Sequence, residues 1–462
     1  MTAFPLQHLV AFLRCPDCEQ RFTLQPIPQR DAEVGECGLL RCACFAYPVL
    51  DGVPVLTKER LPHRSIADDR VVADGPLPGD LAALVEEGRA LEGLVDLLTF
   101  PVCPWPLNRV GALRRLSLRG PHHALGLAYR KRRVRRMLAR RDALTAEDWL
   151  DAFYWHAPAP FDPFNYFFLR FGQPRHLATL GLLSILPPAE APLLDLACGY
   201  GHFLHAVTSG GQPAVGLDQN FHQMWVARHY VAPGAAFVCA DAARPLPFCE
   251  GVFSSALCAD AFQHLYDKAG VYAELDRCVG NGPILLASVI NRLADPSDGE
   301  ALTPDGYAAL LSGRRCRVRT GSDLLARYLG GLGPDLRTSS EPDAVAAGKW
   351  LYYVAAKDEA LFRDHGALEA WPHAAGAVQV NPIYDVDGER LTFRFPSPWY
   401  ASENGAMRDY MPASASLQGD RPALLARGVL VGLPERYARR AGRPWTFGAN
   451  RALSDLVHLY RM

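Results

Sequence analysis

Short apolar runs of strand length recur through the middle of the chain, separated by stretches with helical spacing. PLLDLA, AVGLD, AFVCAD, VFSSALC, GPILLASVI and WLYYVAA are six such runs between residues 192 and 356. Strands alternating with helices predict a doubly wound, mostly parallel sheet of the α/β class. Ahead of them, FNYFFLRFGQPRHLATLGLLSIL predicts a helix or a pair of helices. Asp80 is placed to cap an earlier helix on which Leu81, Leu84, Val85, Leu91, Leu94, Val95 and Leu98 recur at helical spacing. A second helix signal starts near Thr145. Near the N-terminus, YPVLDGVPVL alternates, with Asp51-Gly52 as a turn between short strands. Far downstream, AVQVNPIYDVDGERLTFRFP predicts a hairpin turning at Asp387-Gly388.

These patterns divide the chain into a cysteine-rich unit (1–57), a helical region (79–160), an α/β core (161–357) and an aromatic-rich α+β extension (358–462). At 462 residues the chain has room for about three domains. With 49% hydrophobic and 21% charged residues it can bury real cores. A net charge of −1 excludes a chain-wide basic field for nucleic acid, so any such surface must be local. The basic run from Arg130 to Arg141 has eight cations in twelve residues and could touch phosphates, but its spacing also suits a solvated helix face with Val134, Met137 and Leu138 turned inward. No apolar run approaches the roughly 18 residues of a membrane span, and the first residues carry neither a basic leader nor a small-residue cleavage site. The expectation is a cytoplasmic protein with no membrane partner.

The most informative segment is LLDLACGYGHF, residues 193–203, a buried strand running into Gly199-x-Gly201 and then a helix. Such glycines let backbone approach a ligand, and the helix N-terminus offers N–H groups. Asp218 ends the next strand, 17 residues beyond Gly201, where an acid would grip a ribose diol. Leu204 replaces the third glycine of a dinucleotide fingerprint, which favours a smaller nucleoside ligand. Asp195 precedes the loop, and Asp241 ends the third strand.

Over about residues 185–290 this order resembles the class I S-adenosylmethionine-dependent methyltransferases, which implies a seven-stranded Rossmann-like core. D-L-A-C-G-Y-G is similar to that family's first motif and Gly216-Leu217-Asp218 to its second. Cys239-Ala240-Asp241-Ala242 followed by Leu246-Pro247-Phe248 is similar to its D-A-x-x-L-P-F pattern. The resemblance implies that Asp195, Gly199 and Gly201 shape the methionine pocket and that Asp218 binds the ribose hydroxyls. It also implies that Asp241 accepts from the adenine amino group with Ala242 beside the ring, and that Ala197, Gln219 and Cys258 are cofactor neighbours. A base would follow the fourth strand, where Asp260 and His264 are the candidates. The Asn/Asp-Pro-Pro-aromatic motif of amine methylation is missing there, since the place reads ADAF. Asn381-Pro382-Ile383-Tyr384 lies far downstream on the predicted hairpin. Leu257 precedes Cys258, so the Pro-Cys pair of RNA cytosine methylation is missing too.

Cys15-Pro-Asp-Cys18 with Cys42 and Cys44 has the look of a tetrahedral zinc knuckle pair. Residues 7–57 resemble the zinc ribbon of activator subunits of translation-related methyltransferases, which implies structural zinc. The second pair is C-x-C rather than that family's C-x-x-C, so Cys37 is an alternative ligand. The expected function is methyl transfer to a small, aromatic or heteroaromatic molecule. The alternatives are an rRNA or tRNA methyltransferase, a cofactor-dependent cyclisation enzyme, and a binding-only adapter.

Overall fold

The computed structural model describes residues 4–61, 63–64, 71–72, 75–99, 119–154, 163–296 and 299–438. The Pro-broken stretch 100–108, most of 157–164 and the end of the C-terminal extension lie outside them. Among the described residues no helix is long and apolar enough to cross a membrane.

The chain opens with helix α1 (Leu6–Phe12) and an antiparallel sheet of β1 (Thr23–Pro26), β2 (Gly38–Arg41), β3 (Ala46–Leu50) and β4 (Val53–Pro54). The β3–β4 turn is Asp51-Gly52, both at positive φ (51° and 78°), as a two-residue hairpin loop demands. The helical signal after residue 77 becomes two helices, α2 (Pro78–Glu86) and α3 (Ala90–Thr99). Gly88, at φ +73°, breaks the run between them. Leu77 is the N-cap and Asp80 sits inside the first turn, because Pro78 is pre-set for the opening helical position. The basic run ends α4 (Arg119–Leu138), with Val134 and Leu138 buried, and α5 (Ala146–Tyr154) follows.

The segment before the sheet forms α6 (Pro163–Phe168), a 3₁₀ turn (Arg170–Gly172) and α7 (Pro174–Leu183). Then come β5 (Leu193–Leu196), α8 (His202–Ser209), β6 (Ala214–Asp218), α9 (Phe221–Val226), β7 (Ala236–Cys239), β8 (Ser255–Ala259), α10 (Lys268–Val279), β9 (Ile284–Ile290), β10 (Arg315–Thr320), α11 (Gly321–Leu329) and β11 (Trp350–Ala356). The sheet order is β10-β11-β9-β8-β5-β6-β7. β11 pairs antiparallel with both neighbours, and β5 to β9 are mutually parallel. All six apolar runs became strands. The seventh, β10, reads RCRVRT and lacks an apolar run because it is an edge strand with one side open to water.

Each sheet face has its own core. Leu193, Leu257 and Leu285 pack with Leu177, Tyr328 and Tyr352 on one side. Leu194, Val215, Val238 and Leu286 pack with Leu275 and Leu9 on the other. The N-terminal unit closes the second edge of the sheet: the Leu56 N–H donates to the Cys239 carbonyl at 2.8 Å, and Val55 bridges Cys239 in parallel. In the extension, β12 (Tyr384–Asp387) and β13 (Arg390–Phe393) form the hairpin at Gly388, φ +58°. Ala377–Val380, the first half of the expected hairpin, instead pairs with Leu430–Leu433.

Candidate active site

The loop after β5 is strained in the way close backbone approach requires. Ala197, Gly199 and Gly201 have φ of +60°, +52° and +70°. A Cβ on Gly201 would lie 3.2 Å from the Ala227 methyl, so the helix packs where only glycine fits. A Cβ on Gly199 would meet only the Gln223 side-chain oxygen, at 3.2 Å, so this glycine presents an open face.

Three acids stand at the carboxyl ends of β5, β6 and β7, where ligands bind in open α/β sheets. Asp195 is buried, and its Oδ2 has no hydrogen-bond partner. Burial, with the nearby Asp218 charge, raises its carboxyl to about 8, against the pull of Arg170. Asp218 Oδ2 accepts from the Gly199 N–H at 2.9 Å, and Oδ1 accepts from the Asn220 backbone and side chain at 2.8 and 2.9 Å. Burial raises Asp218, and these donors offset part of the rise. Asp241 is half-buried and accepts from the Ala243 N–H at 2.9 Å, with Ala242 buried beside it. Gln219 is half-buried, and its carbonyl accepts from the Cys239 thiol at 3.5 Å. Cys258 sits wholly inside the second core, and burial pushes its thiol up.

The site's donor set suits an adenosyl sulfonium ligand. It has an orphaned carboxylate oxygen for a cation, acids at two strand ends for hydroxyl and amino donors, and a glycine face for close approach.

The two candidates for a base are placed apart in character. His264 ends a 3₁₀ turn (Phe262–His264) and is exposed, 3.4 Å from Gln263 Nε2. Asp260, at φ +60°, is partly buried among cations. Arg175 Nη1 donates to its Oδ1 at 2.9 Å; Arg170 Nη1 and the Tyr166 hydroxyl donate to its Oδ2, the arginine at 3.3 Å. Burial alone would raise Asp260, but Arg175, then Arg170 and the Tyr166 bond, hold it below the usual carboxylate range. So held, it is a poor proton acceptor. Tyr166 was visible in the sequence only as one aromatic among several. Arg170 and Arg175 were missed; their signal was two arginines inside an otherwise apolar segment. Among the aromatics of this segment and of the extension, Phe168, Tyr384 and Tyr400 are core residues, whereas Tyr166, beside the arginines, meets Trp399 at 6.2 Å.

The sulfurs of Cys15, Cys18, Cys42 and Cys44 all lie within 4.8 Å of one another. Burial works to raise the Cys15 thiol, yet hydrogen bonds from the Cys18 and Asp17 backbone and from Tyr47 bring it down to about 7. Cys37 is elsewhere: its Sγ accepts from the Asp51 N–H at 3.5 Å, in the core shared with α2 and α3. The tight Cys42-x-Cys44 turn thus supplies both of its sulfurs to the cluster, and four thiolates at this spacing match a closed tetrahedral site.

Residues 194–287 match the family model described as a methyltransferase domain. The core has an α/β Rossmann-like fold. No curated protein matches the chain. Among solved structures, the chain is similar to an S-adenosylmethionine-dependent methyltransferase from Mesorhizobium loti, at 16% identity and a TM-score of 0.31, over 40% of this chain and 98% of that one. It is also similar to a TehB-like SAM-dependent methyltransferase from Corynebacterium glutamicum (16%, 0.30, 39% and 87%). A third is a geranyl diphosphate C-methyltransferase from Streptomyces coelicolor (15%, 0.30, 41% and 74%).

Proposed function

We propose that this chain is an S-adenosylmethionine-dependent methyltransferase acting on a small, aromatic or heteroaromatic acceptor. The observation that carries the reading is the open Gly199 face, its N–H held by Asp218, together with the orphaned Asp195 oxygen on the preceding strand. When bound, the cofactor would supply an electrophilic methyl on a sulfonium, chemistry that needs positioning more than covalent catalysis. Asp218 would hold the ribose hydroxyls, Asp241 the adenine amino group and Asp195 the cationic end. Asp260 serves to fix Arg170, Arg175 and Tyr166 rather than to take a proton. An acceptor on such a site arrives as its own nucleophile or uses the exposed His264.

The N-terminal unit, in this reading, holds a structural zinc on Cys15, Cys18, Cys42 and Cys44, with no position open for catalysis.

A second reading is RNA methylation, favoured by Arg132, Arg135 and Arg136, exposed on α4, and by Arg140 in the turn just after it. The test that separates the two is label transfer from methyl-labelled S-adenosylmethionine into a pool of small aromatic metabolites and, in parallel, into unmodified rRNA and tRNA. Label in a small product supports the first reading. Label in RNA, with binding that weakens steeply with salt, replaces it with the second. Binding without transfer to either pool favours a cyclisation enzyme or an adapter.

A further inference from the structure

Asp260 divides two guanidinium groups between the two ends of the candidate site. Arg170, bound to its Oδ2, lies over Phe203 of α8 at 5.7 Å and interacts with Asp195, on the glycine-loop side. Arg175, bound to its Oδ1, lies over the Trp350 ring, 4.3 Å from its centre. Trp350 opens the antiparallel strand β11 and pairs with Ile290, the last residue of β9. Arg175 therefore stands at the carboxyl ends of the parallel strands, past the glycine loop, where an acceptor would lie beyond the cofactor.

Arg175 is under-used there. Its hydrogen bond to Asp260 is through Nη1, and its Nε is buried with no acceptor. A guanidinium offers five N–H donors in a fixed fork, and unmet donors on a buried charge are costly. Within the cluster two arginines share one carboxylate. The next acid, Glu403 of the extension, acts on Arg175 only at a distance and is itself half-buried. The Trp350 ring offers no oxygen acceptor, so this contact leaves guanidinium N–H donors for an anion. The side chains of Arg175 and Asp260 keep 9% and 10% of their surface open, so the pair is not sealed.

We propose that Arg175 is the anion-binding residue of the acceptor pocket, and that the acceptor carries a carboxylate or phosphate. This rests on the methyltransferase reading of the same site and narrows it to acidic acceptors. Asp260 and Trp350 position the guanidinium for that anion.

The test is calorimetric titration of benzoate, phenyl phosphate and neutral benzamide into protein saturated with S-adenosylhomocysteine, at matched chloride ionic strength. At least one of the two anions should bind about tenfold tighter than benzamide, and which one does so identifies the group. R175Q should abolish the preference and R175K retain part of it, with the affinity for S-adenosylhomocysteine within about twofold of wild type. The wild-type comparison decides by itself if R175Q does not fold. Equal binding of all three probes overturns the proposal. So does a parallel loss of S-adenosylhomocysteine binding in R175Q, which would make Arg175 a ligand of the cofactor's own carboxylate. Failure of S-adenosylhomocysteine to bind wild type would instead remove the cofactor reading beneath it.

Discussion

Asp195 is the residue on which the local electrostatics turn. Its folded value of about 8 lies above the ordinary 3.8, so it is protonated in the free protein at neutral pH. That preference favours the fold most below pH 4, and the advantage is lost as pH rises through about 8. A cationic ligand reverses the balance, because a positive charge beside the carboxylate lowers its pKa. Binding of S-adenosylmethionine at pH 7 should therefore release up to about one proton, and affinity should rise with pH towards 8. Calorimetry in phosphate and in Tris reads this directly, and identical heats in the two buffers would contradict it. The acids at the strand ends were legible in the sequence because each closes an apolar run. Arg170 and Arg175 were not: which carboxylate a buried arginine meets is set by tertiary packing, here across 85 residues or more.

Strands were the most legible elements, since buried parallel strands read as unbroken apolar runs. β10 escaped because its pattern of charge suits an edge, and the single long helix after residue 77 proved to be two because Gly88 takes a left-handed turn. The N-terminal unit shows what one element does for another. Its small sheet carries the four-cysteine cluster at one end and lays residues 55–56 along β7, which would otherwise be an open edge. Purified protein should contain about one zinc per chain. Chelation, or the C18S/C42S double substitution, should lower the melting temperature and promote aggregation through the uncovered edge. Metal-free protein with a melting temperature indifferent to chelator would remove the zinc reading.

At the scale of the whole molecule, among the described residues, one buried carboxylate joins three of the four stretches of the chain. Asp51 lies in the β3–β4 turn and accepts from the Gly35 N–H at 2.7 Å, from Trp225 Nε1 at 2.7 Å and from His229 Nε2 at 2.9 Å. Arg141, at the end of the basic run, pairs with it at 3.5 Å. Burial opposes its charge, but His229, Trp225 and Arg141 hold the carboxyl far below its ordinary value. D51N keeps the shape and removes the charge, which should destabilise the protein by about 3 kcal/mol in chemical denaturation. A loss under about 1 kcal/mol would mean the hub is dispensable. The extension joins through Tyr400, Tyr410 and Tyr437, which bond to Gln173, Gly172 and His202. The union of these stretches was not legible in the sequence, since Asp51 looked only like a turn residue.

The central claim is that the loop from Asp195 to Gly201, with Asp218, binds S-adenosylmethionine. Its most direct test is calorimetric titration of S-adenosylmethionine and S-adenosylhomocysteine into wild type and into folded D218A. Saturable binding at one site per chain is expected, weakened in D218A by about 2 kcal/mol, roughly thirtyfold. Folded wild type that binds neither ligand, or D218A that binds both as tightly as wild type, would contradict it.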